Sequence, residues 1–271
     1  MLVYLDGGRG ISAGLALGAL LDAGADAALV QRILGKVTLP RVALMRAREE
    51  RGTISGTVAS VAIGPVRRDA LLIDAVRAVA ANELPLAVRT WGGGLLTRYL
   101  EAEAIARDVS LDAVPLADPV TVAELIAVSA ALATLHAVRV YAALLRSNAH
   151  RAASNKEVGD TPGLARPTDS TQHSALVTAL LLAESEWPEP TDGAPDAVVT
   201  PGGAAILAAL AEPGLPPLRL TAVGYGVSAD APHVLRCLLG EPYTAGAGTM
   251  PPTTRSLMLA HAHPHDNGDD Q

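Results

Sequence analysis

The junction at the start of the chain constrains the fold most. Leu2–Leu5 reads as a short buried strand, Asp6-Gly7-Gly8-Arg9-Gly10 as a turn, and Ser12 opens a helix that runs to Asp22 with Gly24 at its C-terminal cap. Strand-type and helix-type spacing then keep mixing along the chain, with both hairpin and crossover connections. That pattern predicts an α/β fold, with α+β as the alternative, built as a single mixed-sheet domain with packed helices over residues 1–241. Residues 242–271 read as a disordered, histidine-containing tail.

The remaining elements follow from local signals. A short helix is expected over Asp26–Leu34. Arg41–Arg48 and Thr57–Ile63 alternate across the turn Arg51-Gly52-Thr53, as a hairpin should. Leu72, Ala75, Val76 and Val79 mark one helix face, and Pro85 starts a fresh helix. The run Gly92-Gly93-Gly94, at about 1 kcal/mol each relative to Ala, predicts a break or kink near Trp91. Val122–Ala137 is apolar nearly all round and is expected to be a central helix. Arg139–Leu145 reads as a strand, Ser147–His173 as a polar loop or lid, Ser174–Glu184 as a helix, and Glu184–Asp196 as an exposed acidic loop. Ala197–Thr200 is a strand leading into a helix over Pro201–Ala211, with Thr200 as N-cap. Leu218–Val227 and Val234–Leu239 are the last strands.

Composition narrows the function classes. The 271 residues carry a net charge of −7. A protein living on phosphate-backbone contacts carries a basic surplus, so nucleic acid is not expected as a partner. Only 3% of residues are aromatic and none is Phe, so Ala, Leu, Val and Ile must build the core. Charged residues are 18%, below the roughly 25% usual in globular domains, which favours burial of apolar surface in a homo-oligomer or against a protein partner. Cys237 is the only cysteine, which excludes an internal disulfide or a cysteine-built metal centre and fits a reducing, cytoplasmic setting. The apolar stretches Ile11–Leu21 and Leu125–Val138 are too short to cross a membrane, and no basic region of a signal peptide precedes the first strand.

Several residues are candidates for chemistry. Gly8-Arg9-Gly10-Ile11-Ser12-Ala13 fits G-x-G-x-x-A in form, but Asp26, at the distance of the usual ribose-binding acid, falls in a helical pattern, and no P-loop lysine is present. A tight glycine turn with Asp6 capping the helix is the plainer reading. Glu101 and Glu103 lie about 200° apart on a helix and cannot share a face. Glu124 stands in a strongly apolar helix, where a carboxylate needs an ion-pair partner or a raised pKa. Cys237 lies in an apolar strand, as an inert core thiol does, and no G-x-S-x-G elbow or other nucleophile is present. His261, His263 and His265, with Asp266, are spaced to close around nickel or zinc, although a flexible tail imposes no geometry and an incidental polar tail has the same composition.

Three stretches together resemble the LarC family, the nickel-insertion proteins of nickel-pincer cofactor biosynthesis. YLDGGRGISAGLALGALLDAG is similar to the family's opening Y-L-D-C-F-S-G-I-S-G-D-M-x-L-G-A-L-L-D-x-G. VVTPGGAAILAAL resembles its T-T-P-T-G-A-A-L-L, and VGYGVSADAPHVLRCLLGE its V-G-Y-G…P-N-x-L-R-x-x-L-G close. The resemblance spans about Leu2–Glu241 and implies the fold of the family's N-terminal domain. The family joins nickel to a sulfur-bearing pyridinium mononucleotide with hydrolysis of CTP.

The chain also departs from the family pattern. Asp6, Gly10, Ile11 and Ser12 are kept, but Gly14 stands where the family has Asp. The family's H-F-H-E-V-G-A-V-D-S-I-V-D falls on Asp112–Glu124. There Asp112, Val114 and Pro115 replace both histidines and the glutamate, Val120 replaces the first aspartate, and Glu124 keeps an acid. The family's His-rich segment is missing around Gly64–Asp69, and its second domain is not in this sequence. Two readings follow. In one, the chain is a diverged member that binds or delivers nickel or a nickel-pincer-type cofactor, with Asp6, Gly10, Ser12, Glu124 and Thr200 as the remaining cofactor site. In the other it is an inactive scaffold or binding subunit. A nucleotide-binding enzyme built on the Gly7–Gly10 turn is the third alternative.

Overall fold

The computed structural model describes residues 1–143, 169–183 and 198–243, apart from 9, 38, 82, 230 and 231, together with Ser185 and Trp187. Among them the strands are β1 (Leu2–Asp6), β2 (Gly10–Ile11), β3 (Ala43–Arg51), β4 (Ile54–Ala62), β5 (Arg139–Ala143), β6 (Val198–Val199), β7 (Ala211–Pro213), β8 (Leu218–Val227) and β9 (Val234–Pro242). The helices are α1 (Ala13–Asp22), α2 (Ala27–Leu34), α3 (Leu72–Ala80), α4 (Leu86–Arg107), α5 (Pro119–Thr134), α6 (Asp169–Ala183) and α7 (Pro201–Leu210). The fold is α/β, as expected. Seven strands form one mixed sheet in the order β3-β4-β8-β9-β1-β5-β7, and β2 pairs with β6 in a separate parallel ribbon.

Strand β1 is the hinge of this sheet. It pairs parallel with β5 on one side, Val3 opposite Val140, and antiparallel with β9 on the other, Val3 opposite Leu239. Its alternate residues Val3 and Leu5 enter the main core, where they meet the helix layer. Helix α1 lies across β4, β8 and β9, and α5 packs behind it as the most enclosed helix, with all of Leu125–Leu132 buried. A core without Phe achieves this density by bringing backbone to backbone. A Cβ at Gly226 of β8 would stand 1.9 Å from the Leu15 carbonyl oxygen of α1, so only glycine lets the helix settle there.

The ends of α1 are tied down differently. Ser12 caps its N-terminus, accepting from the Leu15 amide at 3.1 Å. At the other end the Asp22 carboxylate accepts from Thr57 Oγ1 at 3.0 Å, from the Tyr225 amide at 2.9 Å and from Arg48, which fastens the helix to β3, β4 and β8.

Four expectations are corrected. The break at Gly92–Gly94 does not occur: α4 runs unbroken because Gly92 is where α3 and α5 close on it, a Cβ there lying 2.9 Å from a Val79 methyl and 3.3 Å from Ser129 Oγ. Tight packing of this kind offsets the glycine's low helix propensity. Asp6 does not cap α1; it pairs across the sheet with Arg236 at 2.6 Å. Helix α6 begins at Asp169, so the last residues of the expected polar loop are helical. The helix expected to reach Ala211 gives way there to β7, an edge strand paired with β5. The acidic loop, except for Ser185 and Trp187, and the tail beyond Tyr243 lie outside the described residues; Pro242, expected in the tail, closes β9, and Trp187 is buried and donates to the Leu207 carbonyl at 3.0 Å.

Candidate functional site

The short β2–β6 ribbon decides where the polar residues meet. Gly10 pairs with Val198 and Ile11 with Val199, and the Thr200 amide donates to the Ile11 carbonyl at 3.1 Å. This places the capping residues of α1 and α7, Ser12 and Thr200, side by side. The approach needs Gly203, where a Cβ would stand 2.0 Å from the Ile11 carbonyl oxygen. The N-terminus of α5 arrives at the same point, with Asp118 accepting from the Thr121 amide at 3.0 Å and Pro119 in the first turn.

Three helix N-termini therefore converge on a cavity of about 890 Å³. Its walls include Ser12 and Ala13 of α1, Tyr99, Glu103 and Arg107 of α4, Asp118, Thr121 and Glu124 around α5, His173 and Ser174 of α6, and Thr200 of α7. Ser12 and Thr200 use an oxygen lone pair to cap, Thr200 accepting from the Gly203 amide at 3.2 Å. Each keeps its hydroxyl hydrogen to donate. The three helix N-termini and the two hydroxyl hydrogens favour an anionic or strongly polar group at this end.

The other side of the cavity carries the titratable groups. Glu103 is 6% exposed, and its Oε2 accepts from Arg107 Nε at 3.0 Å and meets His173 Nε2 at 2.8 Å. Burial, reinforced by the Glu103 carboxylate, pushes the Tyr99 phenol up. Glu124 is pushed up to about 7, first by burial and then by the charge of Asp118, while the Val61 main chain acts in the opposite direction. No ion pair joins it among the described residues, so the raised pKa and not the helix-end ion pair is the solution the fold adopts. Its carboxylate fills the room beside Gly14, where a Cβ would lie 3.3 Å from Glu124 Oε1. Among the described residues no group of three or more His, Cys, Asp or Glu side chains is placed to hold a metal ion.

Residues 3–260 match the family model described as "Nickel insertion protein". The chain belongs to the nickel insertion protein family. It is similar to proteins named "Putative nickel insertion protein" from Roseiflexus castenholzii, with 32% identity over 248 residues, from Dictyoglomus thermophilum, with 26% over 248, and from Syntrophobacter fumaroxidans, with 29% over 249. These matches cover 89%, 88% and 88% of this chain and 60% of each relative, so the chain spans about 60% of the length of those curated relatives. No solved structure matches it.

Within this nickel insertion family member, Ser12, Glu124 and Thr200 of the expected cofactor site stand around one cavity. Gly10 is buried in β2 and contributes by placing Ser12, and Asp6 is occupied by Arg236. His261, His263 and His265 lie outside the described residues. Of the stretch aligned with the family's histidine motif, Ala117, Asp118, Thr121 and Glu124 reach the cavity wall; Val114 is core and Asp112 is held by Ser110 at 2.6 Å. Asp26 caps α2, which removes the dinucleotide fingerprint's acid. Cys237 is fully buried and its thiol is pushed up to about 12, as an inert core thiol requires.

Sequence reasoning missed Tyr99, Arg107, His173 and Ser174 and raised Glu103 without placing it. Asp118-Pro119 was a legible helix start. The pairing of Glu103 with His173, 70 residues apart, had no local signal. Among the described residues no helix is long and apolar enough to cross a membrane.

Proposed function

We propose that this chain takes part in nickel insertion by binding a nickel-pincer-type cofactor, or its pyridinium mononucleotide precursor, in the cavity between α1, α4, α5, α6 and α7. The observation that carries the reading is the convergence of Ser12, Thr200 and Glu124. These residues lie at least 76 positions apart in sequence, and the resemblance to the family had already singled them out. Nickel is the cargo of this function.

The cavity's two ends suit such a ligand. The helix N-termini with Ser12 and Thr200 receive its anionic group. Glu124, titrating near 7, accepts or releases a proton as the charge of the bound molecule changes. Buried Tyr99 and Glu103, the latter paired with the partly exposed Arg107, form the opposite wall.

Calorimetric titration with the pyridinium mononucleotide tests the reading. Binding near one equivalent is expected for the full chain. Ser174→Trp, an exposed α6 position that projects bulk into the cavity, is expected to abolish binding while leaving the melting temperature unchanged. Equal binding by both proteins sinks the proposal.

A further inference from the structure

We infer that the outer edge of β3 pairs with the same edge of a second copy of this chain, antiparallel about a two-fold axis at Arg48, so that Arg46 of each copy stands opposite Glu50 of the other. None of the cavity's described lining residues belongs to β3, so the inference stands apart from the proposed function.

The two edges of the seven-stranded sheet are built differently. Strand β7 is three residues long and ends on Pro213, which has no N–H to offer. Strand β3 has nine residues, holds neither Gly nor Pro, and pairs with β4 from Ala43 to Arg51 without a bulge. Among the described residues no strand lies on its other side. Gln31 of α2 shows which main-chain groups point outward. Its Nε2 donates to the Val42 carbonyl at 3.0 Å and its Oε1 accepts from the Leu44 amide at 2.6 Å, so the even-numbered residues of β3 turn their N–H and C=O away from β4. Gln31 thereby closes one end of the edge, and the turn at Gly52 closes the other. Arg46, Arg48 and Glu50 are left open between them.

That window pairs fully with itself only about its midpoint, Arg48. Arg46 then exchanges main-chain hydrogen bonds with Glu50 of the partner, and Arg48 with its own copy. The Glu50 carbonyl already accepts from Arg51 at 3.0 Å, and its second lone pair is available. The charges agree with this register. Arg46 and Glu50 are exposed, neither has an ion-pair partner among the described residues, and the two-fold axis sets them directly opposite each other twice. Arg48 meets its own copy, but Asp22 neutralises it and Ser55 Oγ draws its Nε toward β4 at 3.1 Å, away from the axis. Moving the axis to Ala47 sets Arg46 against Arg48. Moving it to Glu49 sets that acid against itself and leaves Arg46 opposite the turn. On the other face of the strand the exposed Met45 gains cover from the aliphatic stem of the partner's Arg51.

The test is sedimentation velocity on the untagged full chain across a wide concentration range, where a reversible monomer–dimer equilibrium is expected. Arg46→Glu alone and Glu50→Arg alone should each weaken the dimer by roughly tenfold, with an unchanged melting temperature. An equimolar mixture of these two variants should dimerise again, because opposite charges then meet at both contacts. A second measurement reads the register. Ala47 and Glu49 of the partner would form a non-hydrogen-bonded pair with Cα atoms about 4.5 Å apart, within reach of a disulfide. Ala47→Cys mixed with Glu49→Cys should therefore cross-link on oxidation, and neither variant should do so by itself. A chain that stays monomeric at every concentration overturns the inference and leaves the charges of β3 as a shield for its edge. A dimer that neither charge reversal weakens overturns it too, and so does a cross-link formed by one cysteine variant alone.

Discussion

Two partly buried carboxylates stand at opposite ends of α1 and are treated in opposite ways. Asp22, at the last turn, has a side chain only 6% exposed, and its oxygens are met by Arg48, Thr57 and the Tyr225 amide. Glu124 faces Gly14 in the first turn, has no cationic partner among the described residues, and is pushed up to about 7. The first is a buried charge whose hydrogen-bonding demand is met, and its work is to hold a helix end to the sheet. The second accepts from the Val61 main chain but has no cationic partner among the described residues, and carboxyls raised in this way concentrate where a ligand is expected to meet them.

The largest expected effect tests the scaffold on which both acids depend. Gly226→Ala places a Cβ 1.9 Å from a backbone oxygen of α1, where no rotamer change relieves the clash. A loss of more than about 4 kcal/mol is expected, read as a chain that does not give a cooperative urea transition. Asp22→Ala comes next. Leaving Arg48, Thr57 and the Tyr225 amide without their acceptor should cost about 3 kcal/mol in urea unfolding.

Glu124→Gln should act in the other direction. A carboxyl raised in the folded state binds more protons folded than unfolded, so folding stability falls as pH rises from the ordinary value of 4.5 through about 7. The variant is therefore expected to match the parent near pH 4.5 and to exceed it by about 2 kcal/mol above pH 7, while cavity ligand binding weakens. Equal loss of stability at both pH values would mean that Glu124 is structural, as Asp22 is, and would erase the contrast. Ser12→Ala has the smallest effect. Loss of the cap on α1 should cost about 1 kcal/mol by thermal unfolding, and cavity binding should fall more than that loss accounts for.

Much of the fold was readable because its signals are local. Ser12, Asp26 and Thr200 mark helix starts through side-chain chemistry within three residues, and each cap is in place, whereas the helix expected from Val122 starts three residues earlier at Pro119, behind the cap Asp118. Gly52, with φ of 63°, turns the hairpin between β3 and β4 as its sequence implied. The errors arose where a distant element overrides local preference. Gly92 reads as a helix breaker along the chain, yet α3 and α5 require the space that its missing side chain leaves. Asp6 reads as a cap until β9 brings Arg236 beside it, 230 residues away.

The site divides in the same way. Sequence by itself determined the family, most of the longer strands and helices, and three of the cavity's polar residues, because those rest on motifs and caps that each occupy a few consecutive positions. Tertiary structure alone decided that α1, α5 and α7 point their N-termini at one space, that Glu124 is left without a charge partner among the described residues, and that Glu103 meets His173. Each of these depends on pairings across the chain: Ile11 with Val199, Gly14 with Glu124, and α4 with α6. Hydrogen bonds and desolvation act over a few ångströms of space, and separation along the sequence says nothing about that distance.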